Sequence, residues 1–476
     1  MVNSSTQHPA NLPLSQAVAA TQPTHWTYIA EGAANLILAY RPAPGSPAEE
    51  SLRGKCLRLA KRIQAHPPAI ATDQHPTQVS FFDFHHHILR ALLPQEQLLR
   101  FDLVTLAVPQ PWLDQLAAAV EPRRPPSKRG QSRIDCAAPL AVLMDNLARE
   151  SDGDQQHTIA VEIKPKWAWL PHSPILLDPT TRETKSQFCR TCVFRAVRAL
   201  GPDTAPLDPY YLSPARFCAL QLFSTQHPAH LRSALDRLRA EWQHQIPSAS
   251  LPTPPPDAAT GPPKSTSSQS HNNFKIFRHG LLLDPSSVEV DPQLIEVLAA
   301  TLERSGVLGR LADLQRRLDM FDIEGVFGEV TGSDPAGLGT LEAPITLAEL
   351  VALVPLLSEP LSPTAMAERV ARLLPRTKAV MYALSMTFKD CSIFVRLPVH
   401  HFPENPARLS PLPLAPTPPS SDDLVKIIDL DLKPIARLHK YFKADRASFS
   451  GFINLLRSAH SPPTTCLELC NNSASA

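Results

Sequence analysis

Residues 425–434 read Val425-Lys426-Ile427-Ile428-Asp429-Leu430-Asp431-Leu432-Lys433-Pro434. Val425 to Leu432 has the period-two spacing of a strand. That spacing predicts Ile428, Leu430 and Leu432 on a buried face and Val425, Ile427, Asp429, Asp431 and Lys433 on the opposite one. The strand comes late in the chain. Ahead of it, Pro292 to Phe321 and Leu347 to Leu374 carry Leu, Ile and Val at three- and four-residue intervals with charges between them, the spacing of amphipathic helices. Further back, alternation recurs in Asn35–Tyr40, Lys55–Leu59 and His157–Ile163, and just upstream of the quoted stretch in Cys391–Leu397. Strands early and late, with helices massed between them, are too irregular for a doubly wound parallel sheet and give an α+β class.

The chain has 476 residues, with 46 Lys+Arg against 45 Asp+Glu for a net charge of +1, so global charge points to no partner. Its 43% hydrophobic content supports a large core and two or three structural units. Prolines number 51 against 16 glycines and are clustered. The runs 245–270 and 403–421, with a shorter one at 42–50, read as disordered loop insertions, because Pro, Ser and Thr cannot offset the entropy of ordering. No apolar stretch has the length of a membrane span, the first residues lack the pattern of a secretory leader, and eight scattered cysteines suit a reducing compartment. An intracellular protein with free thiols is expected.

Three clusters carry chemistry. In Val161-Glu162-Ile163-Lys164-Pro165-Lys166, strand alternation lines up Glu162, Lys164 and Lys166 on one face; alone, this is the solvated side of an edge strand. In 425–434 the strand ends in carboxylates, which call for a cation, and Pro434 can open a helix with Lys433, Arg437 and Tyr441 at four-residue spacing. In Lys389-Asp390-Cys391-Ser392 an acid precedes the apolar strand Ile393–Val395. The last two clusters together describe a hairpin with Asp390 and Asp429 at its ends. Phosphoryl transfer uses such a pair, one carboxylate orienting the attacking hydroxyl and the other holding magnesium; a turn cap is the plainer role for Asp390. Cys189-Arg190-Thr191-Cys192 supplies half a zinc site with no second pair in view, so two free thiols are expected. His85-His86-His87 reads as a solvated helix face and is assigned no function.

Taken in order, Glu31-Gly32-Ala33-Ala34-Asn35-Leu36, Glu162 to Lys166, Asn272-Asn273-Phe274-Lys275-Ile276-Phe277, Lys389 to Ser392 and Asp429 to Pro434 resemble the inositol-pentakisphosphate 2-kinases, and a fungal member in the proline-rich insertions. The resemblance spans about residues 28 to 441. It implies a two-lobed fold distantly similar to protein kinases and inositol polyphosphate kinases. It further implies ATP- and magnesium-dependent phosphorylation of the 2-hydroxyl of inositol 1,3,4,5,6-pentakisphosphate to the hexakisphosphate, phytate.

By that resemblance, residues 1–23 would be a disordered N-terminus, 24–150 a nucleotide-binding N-lobe, 151–462 a C-lobe holding the inositol phosphate, and 463–476 a tail. Glu31, Gly32, Ala33, Ala34, Asn35, Arg58 and Glu162 would meet the nucleotide. Asp390 would be the general base, Lys164 would act at the transfer point, and Asp429 with Asp390 would hold magnesium. Lys166, Arg129, Asn272, Asn273, Lys275, Lys433, Arg437 and Tyr441 would bind the substrate. The family's Cys-Arg-aromatic-Cys-Met-His-Gln stretch is here Cys189-Arg190-Thr191-Cys192-Val193-Phe194-Arg195, so the contacts of the lost His and Gln are in doubt, with Arg190 and Arg195 as possible replacements. A monomer in the nucleus, or else the cytoplasm, with neither membrane nor nucleic-acid partners, is expected. The reading from another class is a non-catalytic inositol-polyphosphate- or RNA-binding protein, disfavoured because two retained acids repel a polyanion unless a metal joins them.

Overall fold

The computed structural model describes residues 12–32, 34–41, 48–63, 79–106, 108, 110–126, 128–149, 157–171, 178–199, 209–224, 227–243, 273–333, 339–400, 407–412, 424–458 and 463–471. The expected insertion at 245–270, Ala33 and Asn272 lie outside these residues. The described part is mixed helix and sheet, an α+β protein. It divides into two compact units, residues 1–74, 99–154 and 277–282 in the first, and 75–98, 155–276 and 283–476 in the second.

In the first unit an antiparallel sheet runs in the order Trp26–Glu31, Asn35–Tyr40, Lys55–Ile63, Leu140–Asp145, Phe101–Thr105. Alternation places Leu36, Leu38, Leu57 and Leu59 on the face covered by helix Gln110–Val120, whose Trp112, Leu113, Leu116 and Val120 complete the core. The N-terminal segment departs from the expected disorder. Leu14–Ala19 is a helix with Ala17 and Val18 fully buried, because Leu14, Ala17 and Val18 fall on one helical face and Pro13 precedes the first turn.

In the second unit the strands Val425–Ile428, Ser392–Val399, His157–Ile163 and Phe274–Arg278 lie side by side in that order. Ser392–Val399 is antiparallel to both neighbours, with Ile393 opposite Ile427 on one side and Ile163 on the other. His157–Ile163 is therefore an interior strand rather than an edge. Ile159, Ala160, Val161, Ile163 and Glu162 are all buried, and Pro165 is tolerated because it falls beyond the strand's end. The late strand is shorter than its alternation suggested. It stops at Ile428 because Asp429 takes φ +60°, and its buried residues are Val425, Lys426 and Ile427, with Ile428 only half-buried.

The two helical stretches each divide. Gly306, at φ +63°, separates Gln293–Ser305 from Val307–Leu318, a left-handed position glycine adopts without Cβ strain. Ser362 caps Pro363–Ala371 beyond the end of Leu347–Ser358. Helix Pro375–Lys389, almost wholly buried, runs into Asp390 and then the strand Ser392–Val399.

Other expectations change in detail. Within 403–421 the described residues 407–412 are ordered, with Arg408–Leu409 paired in parallel with Glu289–Val290 through the buried Leu409. The expected tail contains helix Cys466–Asn471, with Cys466 and Leu469 buried. Of the histidine run, His86 and His87 are exposed but His85 is buried on the inner side of a π-helical turn, Phe84–Leu89. No helix among the described residues is long and apolar enough to cross a membrane.

Candidate active site

The second unit gathers most of the expected site at one end of its sheet. Antiparallel pairing puts the start of Ser392–Val399 beside the end of Val425–Ile428, so Asp390 and Asp429 flank the same hairpin end. Ser392 stitches the group together, its hydroxyl donating to Glu162 Oε1 at 2.9 Å and to Asp429 Oδ2 at 3.3 Å. Lys275, on the neighbouring strand, donates to Glu162 Oε2 at 2.9 Å. Lys164 Nζ lies 3.8 Å from Asp429 Oδ2. Asn273 joins through its backbone, its carbonyl accepting from the Lys164 amide at 2.9 Å.

Across this group the two acids shift in opposite directions. Desolvation pushes the Asp390 carboxyl up, but Lys433, donating to Oδ2 at 2.8 Å, together with Lys166 and Lys164, outweighs it and holds the group below the usual carboxylate range. Asp429 is raised, chiefly by desolvation and further by the carboxylates of Glu162 and Asp431, against the pull of Lys164. Both side chains nonetheless remain about half open to solvent, at 52% and 51%. Lys166 is lowered by desolvation, with Lys164 adding to the fall and Asp390 opposing it.

Lys433 does not lie on a helix with Arg437 and Tyr441, as its spacing had suggested. Residues 429–434 form neither helix nor strand, a 3₁₀ turn covers Ile435–Arg437, and the helix proper is Leu438–Ser458. From this irregular segment Lys433 reaches Asp390. Arg437 is exposed on the turn and lowers Tyr441, whose hydroxyl is raised overall by desolvation.

In the first unit the expected nucleotide turn is built differently from the sequence reading. The Glu31 side chain is 1% exposed and spends its carboxylate internally, accepting from Arg124 Nε and the Arg124 terminal nitrogen at 3.0 and 2.8 Å and from Lys61 Nζ at 2.7 Å. Lys61 also donates to the Gly32 carbonyl, and the Gly32 amide donates to the Asn35 carbonyl at 2.9 Å, closing the turn. Glu31 thus shapes this loop instead of presenting a carboxylate; Ala34 and Asn35 follow at its mouth. Arg58 sits on Lys55–Ile63 opposite Ile37 and Val142. Arg129 is exposed and tethered by the carbonyls of Arg124 and Pro122.

Sequence reasoning missed what lies beneath the site. Gln315 is fully buried. Its amide nitrogen donates to the carbonyls of Lys166 and Phe388, each at 3.0 Å, and its oxygen accepts from the Ala168 amide at 2.9 Å. It thereby ties the Lys166 turn, at φ +67°, to the helix end that carries Asp390. Lys389, next to Asp390, is buried against Asp319 at 2.5 Å and over the Trp167 ring at 4.1 Å; desolvation lowers it to about 8. Arg190 covers Trp167 at 4.4 Å and bonds Asp322 and Asp445, while Lys185 bonds Asp445 at 2.6 Å and Asp322 at 3.1 Å. Arg190 and Arg195 are thus buried anchors, Arg195 pairing with Glu241 at 2.6 Å. A lone Gln, and basic residues 46 to 260 positions from their acids, give no local pattern to find.

The inositol-pentakisphosphate 2-kinase family model matches residues 28–447, and the chain belongs to that family. It is 29% identical over 442 residues to the inositol-pentakisphosphate 2-kinase of Cryptococcus neoformans var. neoformans, covering 89% of this chain and 92% of that one. It is 23% identical over 480 residues to the Arabidopsis thaliana inositol-pentakisphosphate 2-kinase, with the same coverage. Against inositol-pentakisphosphate 2-kinase IPK1 of Oryza sativa it is 26% identical over 467 residues, covering 88% and 92%.

Proposed function

We propose that this protein transfers the γ-phosphoryl group of ATP to the 2-hydroxyl of inositol 1,3,4,5,6-pentakisphosphate, and that its two units serve as nucleotide- and substrate-binding lobes of a kinase-like fold carrying proline-rich insertions. The observation that carries the reading is the pair of carboxylates at one hairpin end, driven in opposite directions and ringed by Lys164, Lys166 and Lys433. The kinase names of its relatives supply the nucleotide and the acceptor class.

Asp390, held ionised, accepts the proton of the attacking hydroxyl, and Lys433 holds its carboxylate in place. Lys166 and Arg437 receive substrate phosphates; the lowered Lys166 regains its proton preference as phosphate arrives. Lys164 faces the transferring group. Asp429, with Glu162 and Asp431 close by, forms an acidic cluster whose mutual repulsion a hard divalent cation relieves, which fits magnesium. Magnesium bound there would neutralise phosphate charge.

Purified protein with ATP, magnesium and the pentakisphosphate should give the hexakisphosphate, resolved by anion-exchange chromatography. Asp390→Asn should cut kcat by roughly 10²–10⁴-fold while leaving substrate binding intact. Tight pentakisphosphate binding without product would instead establish the binding-protein reading.

A further inference from the structure

Lys166 holds φ +67°, a left-handed conformation that glycine adopts freely and that costs energy in a residue with a Cβ. Such a conformation persists where its surroundings over-determine it. The peptides on either side of Trp167 are pinned by Gln315, which donates to the Lys166 carbonyl at 3.0 Å and accepts from the Ala168 amide at 2.9 Å. Between those two bonds stands the Trp167 ring, with Lys389 Nζ over it at 4.1 Å from the centroid and the Arg190 guanidinium carbon at 4.4 Å. We propose that Trp167 is a positioning residue for phosphoryl transfer: its ring, held by two buried cations, keeps Lys166 in its left-handed turn and in register with Asp390. The inference deepens the kinase reading and rests on it, since there Lys166 receives a substrate phosphate and Asp390 the hydroxyl proton.

The ring is held by charge more than by an apolar core. Trp167 is only half-buried and belongs to none of the apolar clusters among the described residues, although Ala168 packs against one and Leu170 is part of another. Its two cations are buried and carry like charges, so they need a common reason to sit together. Lys389 donates to Asp319 at 2.5 Å and to Ser385 at 2.9 Å, and Arg190 bonds Asp322 and Asp445. Asp319 reaches both, its Oδ2 lying 3.8 Å from a terminal nitrogen of Arg190. The negative face of the indole adds a second shared attraction, and it acts most strongly on cations stripped of water.

Covalent neighbours carry this contact into the site at both ends. Lys389 closes helix Pro375–Lys389 and Asp390 is the next residue, while Lys166 directly precedes Trp167. The ring contact therefore joins the segment that carries the phosphate-binding lysine to the helix end that carries the base. Without the ring, Lys166 keeps its bond to Gln315 but loses the side-chain anchor beside it, and the left-handed turn can relax. A misplacement of about 1 Å in a positioned group can cost about 10²-fold in rate.

Steady-state kinetics of the full chain with ATP, magnesium and the pentakisphosphate test the inference. Trp167→Ala should lower kcat/KM by roughly 30- to 100-fold, Trp167→Leu should fall with it, and Trp167→Phe, which keeps a π face, should stay within about fivefold of wild type. A double-mutant cycle separates positioning from a general loss of structure: Lys166→Ala should cost far less in the Trp167→Ala background than in wild type, because Lys166 is already misplaced there. Should Trp167→Ala fail to fold, Trp167→Leu, closer in volume, takes its place in the cycle. Losses that multiply independently, or Trp167→Leu at the wild-type rate, would overturn the inference and leave the kinase reading standing. Wild-type protein that makes no hexakisphosphate would overturn the kinase reading itself, and this inference with it.

Discussion

Asp390 and Asp429 are the same side chain shifted in opposite directions, Asp429 upward by desolvation and neighbouring carboxylates and Asp390 downward by lysines, of which Lys433 acts most strongly. Lys433 meets Asp390 where Asp429 ends the strand with a positive φ and the following residues form no helix before Ile435. Removing that charge in Lys433→Met should raise the Asp390 carboxyl, since the cation that most lowers it is gone. The base is then lost at higher pH, so the acid limb of kcat/KM against pH should move upward; an unmoved limb would mean that Asp390 is not the titrating base. Both acids were readable in the sequence, since an apolar alternation that turns acidic at its end needs a reason. His85 was not, because only packing separates it from two exposed neighbours. Burial, with the charge of Arg90 adding to it, lowers His85 from 6.5 to about 4. A depressed folded value means the unfolded chain binds the proton first. Stability from this group is therefore present above pH 6.5 and lost as pH falls towards 4, by up to about 3 kcal/mol. Urea midpoints at pH 7 and pH 5 should differ less in His85→Phe than in wild type.

Strands and helices were legible wherever period alone decides them, as in Asn35–Tyr40 and His157–Ile163. Their ends and their burial were not, because those depend on partners far away in sequence. His157–Ile163 looked like an edge until the strands beginning at Phe274 and Ser392 enclosed it. The turn after Trp26–Glu31 matched its family motif, yet Glu31 works inward, and its partner Arg124 hid in a basic run from which Arg129 had been singled out. Glu31→Gln leaves Arg124 and Lys61 buried with half their compensation and should destabilise the first unit by about 3 kcal/mol, read as a drop in the midpoint of thermal unfolding. Gln315 acts on the geometry of the site more than on the fold. Gln315→Leu orphans the Lys166 and Phe388 carbonyls and the Ala168 amide, and with them the alignment of Lys166 and Asp390. It should lower kcat by at least about tenfold, beyond what its loss of stability explains, with saturating substrate failing to restore the rate.

Across the chain, the near-perfect balance of 46 basic against 45 acidic residues concealed the electrostatics that matter. Many charges neutralise one another internally: Lys185, Arg190 and Lys389 are consumed by Asp319, Asp322, Glu324 and Asp445, all buried. No local pattern announces that network, since its members are scattered from residue 185 to residue 445. Once these charges are set aside, and with Glu162 offset by Lys275, Lys164, Lys166, Lys433 and Arg437 form a local excess of cations over Asp390, Asp429 and Asp431. A substrate carrying about ten negative charges senses that local excess and not the net charge of +1. Salt screens exposed charges over about 10 Å at 0.1 M, so capture should weaken with ionic strength while the chemical step, shielded once substrate is bound, should not. Raising monovalent salt from roughly 50 to 500 mM should increase KM for the pentakisphosphate by about tenfold and change kcat by less than about twofold. Arg437→Ala should flatten that dependence. A KM indifferent to salt in the wild-type protein would mean that these four cations do not capture the substrate.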